Sequence, residues 1–428
     1  MTTPGSTRAE KSETAVTSLK RFVTRVNSST CPSGIRDLSL LGSSIHPAGR
    51  GPLSLYFLRI PASWERSSLA RVTDSTTAPV APPKILVRTE GALGRLTLNR
   101  PEAINALDQE MIRLMTEALE AWREDTDVQI VLIDGAGERG MCAGGDVRAL
   151  HTQIVEGRLG DTAEFFRAEY ALDAMIAEYP KPVVAFADGI TMGGGIGLAG
   201  HAAIRIVTER SKLAMPETRI GFTPDVGGTW LLGRAPGRFG EYFGLTGSTM
   251  SAADALHLGF ADYFVPSDRL DTLRDALAYR ADPTGPAEIV LLFDETPEPS
   301  TLPAARAWID EAFSADTVAE IVERLRAQGT TDAAAAVDLL ESLAPTGLSV
   351  TLDAVREARG MPGLREALEG EYRRVMWFVT QHPDLVEGIR AQVVDKDRNP
   401  RWDPPTIADL APDAGADARA YVPERVLF

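Results

Sequence analysis

The chain has 428 residues, 44% of them hydrophobic, and a formal net charge of −16 at pH 7. That length holds one large domain with attachments, and the composition is that of an ordinary globular protein. The acidity argues against nucleic acid or an anionic membrane as partner, and two cysteines, Cys31 and Cys142, are too few for a disulfide framework and suit a reducing compartment.

Residues 1–83 are rich in Ser, Thr, Arg and Pro and lack a periodic apolar pattern; through Lys84 they hold eleven basic and five acidic residues. Such composition predicts a largely disordered extension. Its arginines and serines fit a mitochondrial transit peptide, whereas its length and the early acids Glu10 and Glu13 favour an extension without function. The expected location is the cytoplasm, or the mitochondrial matrix if the source is eukaryotic. No apolar run reaches membrane-spanning length, since the nearest, at 182–200, is broken by Asp188 and by glycines.

From Lys84 the pattern is ordered. KILVRTEG and GRLTLNR alternate about a Gly-Ala-Leu-Gly turn and predict a hairpin. LNRPEAINAL then leads into an amphipathic helix from Asp108, its expected N-cap, to about Glu124. A strand at 128–134, VQIVLID, runs into the glycines of GAGERGMCAGGDVRAL. Residues 147–179 read as helical, with Phe165, Tyr170, Leu172 and Met175 spaced for core packing. Glu169 on that stretch reads, taken alone, as a solvated helix acid.

The apolar run PVVAFADGI predicts a buried strand, and Gly193 to Gly195 open a short helix ending near Gly200. Glycines there either allow tight helix-on-strand packing or free N–H groups at a helix start to face a ligand. Two strand–glycine–helix junctions supply one N–H each, the pair needed to hold a thioester or ester oxyanion. Two short strands follow, then a loop in which Pro216 and Pro224 precede two isolated acids, Glu217 and Asp225. Proline fixes backbone direction ahead of each, as suits groups that must meet a reacting atom; the plainer reading is a pair of turn caps. Beyond Asp268 the chain reads as polar amphipathic helices, among them LPAARAWIDEAF, TVAEIVERLRAQ, DAAAAVDLLESL and LREALEGEYRRVMWFV, with a tail of about twenty loosely held residues. The expected organisation is thus an extension (1–83), a core (84–267) and a helical region (268–428).

The pairing of CAGGD, Cys142 to Asp146, with GITMGGGIG, Gly189 to Gly197, resembles the crotonase, or enoyl-CoA hydratase/isomerase, superfamily. The resemblance implies an α/β fold, a spiral of ββα turns with a helical C-terminal region, although no repeat of residue identity is visible. It implies an oxyanion hole of the Gly145 and Gly194 N–H groups, a loop at Pro101 and Asn105 that borders the CoA adenine, and Cys142 as a loop residue, not a nucleophile. In the hydratases one catalytic Glu lies three residues beyond the oxyanion glycine, where this chain has Gly197; the second is retained as Glu217. Hydration needs two carboxyl groups about one water, so Gly197 counts against it.

The run MPETRIGFTPDVGG adds Asp225 and is similar to the 3-hydroxyisobutyryl-CoA hydrolases of valine breakdown, as are LTGSTMSAADALHLGFADYFV and EGIRAQVVDKDRNPRW. FFRAEY matches a helix of that branch and makes Glu169 a substrate-binding candidate together with Gly194, Glu217 and Asp225. The implied activity is thioester hydrolysis, with Glu217, Asp225, Gly145 and Gly194 as catalytic candidates, no metal or redox cofactor, and CoA as part of the substrate. The alternatives are a hydratase or isomerase of the same fold and a non-catalytic acyl-CoA-binding protein. A homo-oligomer is compatible with the sequence.

Overall fold

The computed structural model describes residues 82–279, 285–411 and 413–428. The extension expected over 1–83 lies, but for its last two residues, outside the described residues. The predicted hairpin forms from β1 (Ile85–Glu90) and β2 (Leu93–Leu98), antiparallel with Ile85 opposite Leu98. Its turn is shorter than Gly-Ala-Leu-Gly: Leu93 and Gly94 already belong to β2. Leu93 is fully buried, and a Cβ on Gly94 would stand 2.8 Å from the Trp122 ring. Helix α1 (Gln109–Arg123) starts where expected, the Asp108 carboxylate accepting the Met111 N–H at 3.0 Å.

Strand β3 (Ile130–Gly135) lies parallel to β2. The stretch expected to be one helix over 147–179 is two, α2 (Val147–Val155) and α3 (Leu159–Ala177). The break falls at Gly157, whose φ of 73° leaves the helical region. Strands β4 (Val183–Ala187) and β5 (Ile190–Met192) precede α4 (Gly194–Gly200), then come β6 (Ile204–Val207) and β7 (Lys212–Ala214). The larger sheet has the order β1-β2-β3-β4-β6-β8, with β8 at Tyr263–Phe264, parallel except for β1; β5 and β7 form a second, parallel pair.

The turns of a spiral can be read from these pairings. Cys142 bridges Thr191 of β5, Gly140 bridges Gly189, and Leu213 of β7 bridges Met250. After β3, β4 and β6 the chain thus contributes a short segment to a second layer, and after the first two a glycine-led helix. Alternation along the strands divides the core. Ile130, Leu132, Val184 and Ile206 face α8 (Leu270–Ala278) and α9 (Pro286–Leu291), which follow α5 (Gly228–Arg234), α6 (Phe239–Thr246) and α7 (Ala252–Leu258). Val131, Ile133 and Ala185 face the main core with α1 and α3.

The predicted C-terminal helices are present as α10 (Leu302–Phe313), α11 (Val318–Gln328), α12 (Thr331–Ser342), α13 (Pro345–Ala358), α14 (Leu364–Gln381) and α15 (Asp384–Ile389). They are not a separate body, for Pro83–Phe428 forms one compact unit. The tail is also held, contrary to its loose composition. In α16 (Ala414–Ala420) Ala418 is fully buried, Leu427 is buried near the end, and Arg419 pairs with Asp353 at 2.8 Å. Helix α16 packs on α13 and α14, a tertiary effect that composition does not register, although Val422 and Val426 beyond it stay exposed.

Candidate active site

The two glycine loops meet. A Cβ built on Gly194 would lie 3.4 Å from the Gly145 nitrogen, and one on Gly144 would lie 3.6 Å from the Gly194 nitrogen. Neither the Gly145 nor the Gly194 N–H has a partner among the described residues, Gly194 because it opens α4 and has no intrahelical acceptor. Asn105 fixes the first loop. Buried and at φ 55°, it donates through Nδ2 to Ala136 O at 2.9 Å, Gly140 O at 3.2 Å and Met141 O at 3.0 Å. Arg100 ties the same segment to Asp146, the cap of α2, at 3.1 Å. Cys142 is fully buried, its thiol donates to Asn105 O, and burial pushes its pKa up to about 12, so it is no nucleophile.

The loops open into a cavity of about 330 Å³, whose lining includes Gly145, Gly194, Glu169, Glu217 and Asp225. All five predicted site residues thus share one space. Val147, Leu150, Phe165, Phe166 and Phe222 supply its apolar wall, and Leu385 and Gln392 reach it from the C-terminal region. Glu169 Oε1 would lie 2.5 Å from a Cβ on Gly194, and Glu217 Oε1 would lie 3.0 Å from one on Gly193. The glycines are therefore required for close approach, and the carboxylates stand directly over the Gly193–Gly194 loop.

Glu217 begins a 3-10 turn, Glu217–Ile220, behind Pro216. That turn is braced by α15 through two bare glycines: a Cβ on Gly388 would meet Ile220 O at 2.2 Å, and one on Gly221 would meet Asp384 O at 2.3 Å. Gly388, the second residue of the motif EGIRAQVVDKDRNPRW on which part of the resemblance rested, is thus one half of the clasp on the Glu217 turn. Asp225 accepts a hydrogen bond from the Tyr170 hydroxyl at 2.8 Å. Tyr170 was expected to serve packing alone; fully buried, it does both.

Two further acids were missed by sequence reasoning. Asp173 lies one helical turn beyond Glu169 on α3, fully buried, and a Cβ on Gly197 would stand 2.7 Å from its Oδ1. Asp173 therefore fills the space that a side chain at 197 would need. Glu371, on α14, is 1% exposed and accepts from the backbone at the start of α5. Each was one acid on a helix, with no pattern to mark it.

Five buried acids thus crowd together, and none has an ion-pair partner among the described residues. Arg219 lines the cavity, but its guanidinium donates to the Gly247 and Thr246 carbonyls. Burial and like charge lift the acids. Burial, reinforced by Asp225, holds Glu169 and Glu217 well above the ordinary carboxylate range, and burial with Glu169 does so for Asp173. Burial pushes Asp225 up to about 7 against the Tyr170 hydrogen bond, and Glu371 up to about 8 against its bonds to Thr229 and Gly227. Glu169 Oε1, Glu217 Oε2 and both Asp173 oxygens have no hydrogen-bond partner among the described residues.

Glycine-framed donors beside raised carboxyls are the apparatus of an acyl-transfer or acyl-CoA enzyme. A profile of the enoyl-CoA hydratase/isomerase family matches residues 93–418. The chain belongs to that family.

It is 38% identical over 351 residues to "3-hydroxyisobutyryl-CoA hydrolase, mitochondrial" of Danio rerio, covering 80% of this chain and 91% of the relative. It is 39% identical over 337 residues to "3-hydroxyisobutyryl-CoA hydrolase 1" of Arabidopsis thaliana, covering 76% and 89%. Among solved structures, a carnitinyl-CoA dehydratase from Mycobacterium thermoresistibile superposes with a TM-score of 0.76 at 44% identity, covering 81% of this chain and 99% of its own. An enoyl-CoA hydratase from Rhodobacter sphaeroides does so with 0.74 at 42%, covering 79% and 98%. The predicted α/β crotonase fold is the one present.

Proposed function

We propose that this chain hydrolyses the thioester of 3-hydroxyisobutyryl-CoA to 3-hydroxyisobutyrate and CoA, without a metal or redox cofactor. The thioester carbonyl lies between the Gly145 and Gly194 N–H groups, where negative charge develops as the tetrahedral intermediate forms. Glu217 takes a proton from the attacking water as its oxygen bonds to the carbonyl carbon. Collapse breaks the C–S bond, and the thiolate recovers a proton from the carboxyl group. Asp225, held by Tyr170, and Glu169 receive the 3-hydroxyl or share that proton. In the less favoured variant Glu217 attacks directly and forms an anhydride that water then opens.

The single observation that carries hydrolysis over hydration is the Gly197–Asp173 contact. The position of the hydratase's first catalytic Glu is bare, and a carboxylate there would collide with Asp173. The hydratase reading has its own support in the names of the two solved relatives. A single panel separates the readings: free thiol from 3-hydroxyisobutyryl-CoA against loss of the crotonyl-CoA double bond. The expected result is rapid thiol release and scant hydration. Glu217→Gln should lower release by roughly 100- to 10,000-fold with much less change in KM. Efficient hydration without thiol release would make the protein a hydratase. The vertebrate relative's name specifies mitochondria, and cell fractionation decides between matrix and cytoplasm for this chain.

A further inference from the structure

The chain turns sharply behind Asp225. Val226 and Gly227 both have positive φ, 52° and 74°, and a β-branched residue is costly to hold there. Such a turn persists only where its surroundings over-determine it. His201 Nε2 donates to Val226 O at 2.8 Å, and a Cβ on Gly227 would meet that ring at 2.3 Å. From the other side Glu371 accepts the Gly227 N–H at 2.6 Å, the Thr229 N–H at 2.9 Å and the Thr229 hydroxyl. These N–H groups stand at the start of α5, where the helix offers no acceptor of its own.

Glu371 is unlike the other acids. Both its oxygens are engaged, whereas Glu169, Glu217 and Asp173 each keep at least one without a partner. Its neighbour Tyr372 packs edge-on against Tyr170, the donor to Asp225, with ring centroids 6.3 Å apart. Helix α14 thus holds Asp225 twice, through the backbone behind it and through the phenol in front.

We infer that Glu371 is a positioning residue: it locks the Asp225–Gly228 turn, and so the direction in which the Asp225 carboxylate meets the acyl group, from 144 residues further along the chain than Gly227. The inference rests on Asp225 taking part in thioester hydrolysis. A mere helix cap would support stability without acting through Asp225. The two roles are separated by kinetics across a double-mutant cycle, with folding checked by thermal melting.

Wild type, Glu371→Gln, Asp225→Asn and the double variant are assayed for thiol release from 3-hydroxyisobutyryl-CoA. Glu371→Gln should lower kcat by about tenfold to a hundredfold, the scale of a misplaced catalytic group, with KM nearly unchanged. In the Asp225→Asn background the same substitution should cost almost nothing. Glu371→Ala should lose more than Glu371→Gln, whose amide oxygen still accepts one N–H. If Glu371→Gln does not fold, Thr229→Val removes only the hydroxyl contact and carries the same cycle with a smaller loss. A folded variant with unchanged kcat, or an equal loss in both backgrounds, overturns the inference. Asp225→Asn with wild-type kinetics overturns instead the reading of Asp225, and the inference with it.

Discussion

The acids behave as a group because, among the described residues, no cation pairs with them. As the proposed base, Glu217 must be ionised to accept a proton from water, so kcat/KM should rise with pH along a limb well above Glu217's ordinary value of 4.5. Part of that displacement comes from Asp225. Asp225→Asn should therefore move the limb to lower pH while reducing the plateau, and a pH–rate profile with the limb unmoved would deny the contact.

Asp173 couples to stability. Its folded pKa is raised above 3.8, so the folded chain keeps a proton that the unfolded chain surrenders. That contribution is complete below about pH 3.8 and is lost as pH rises toward the folded value. Asp173→Asn carries no such proton. The variant should gain on wild type as pH rises above about 4, by at most about 1.4 kcal/mol per pH unit. Denaturant melts at pH 5 and pH 8 giving the same difference would reject this. Of the acids, Glu217 and Asp225 were legible because prolines and glycines frame them, and Glu169 through its resemblance. Asp173 and Glu371 were not, because a buried and an exposed acid on a helix look alike until the partner surface is known.

At the scale of elements, the short helix α4 presents its first N–H because Gly193 and Gly194 turn the chain without side chains. Gly194→Pro removes that N–H, and loss of one oxyanion donor costs about 2.7 to 4 kcal/mol in the barrier. Thiol release should fall accordingly in a variant whose circular dichroism is unchanged; a normal rate would exclude Gly194 as donor. Strand and helix positions were largely legible from periodicity. The errors fell at junctions: the shortened hairpin turn depends on the Trp122 ring packing against Gly94, and the break at Gly157 on a left-handed backbone in open space, and periodicity reports neither.

Across the whole molecule, the C-terminal helices complete the site. Helix α15 clasps the Glu217 turn, α14 holds the Asp225 turn, and the tail meets α3, which bears Glu169, through Arg167 donating to Leu427 O. The sequence showed helices there but not their purpose, since one face of an amphipathic helix does not name its partner. Deleting residues 414–428 removes the buried Leu427, the Arg419–Asp353 pair and the Thr380–Tyr421 hydroxyl bond. The loss should be about 2 to 3 kcal/mol, mainly from the leucine, read as a lower melting temperature. An unchanged melt would show that the tail contributes nothing.

The uncompensated acids also bear on how a turnover ends. The acyl end of a thioester enters the cavity uncharged, but hydrolysis leaves it as a carboxylate among Glu169, Glu217 and Asp225, with Arg219 committed to backbone carbonyls. A new charge is costly in a poorly hydrated space with no cation free to pair with it among the described residues. On the proposed mechanism, the same desolvated cluster that raises the carboxyl pKa values penalises the newly formed carboxylate as well, which favours its departure and leaves the cavity to the next uncharged ester.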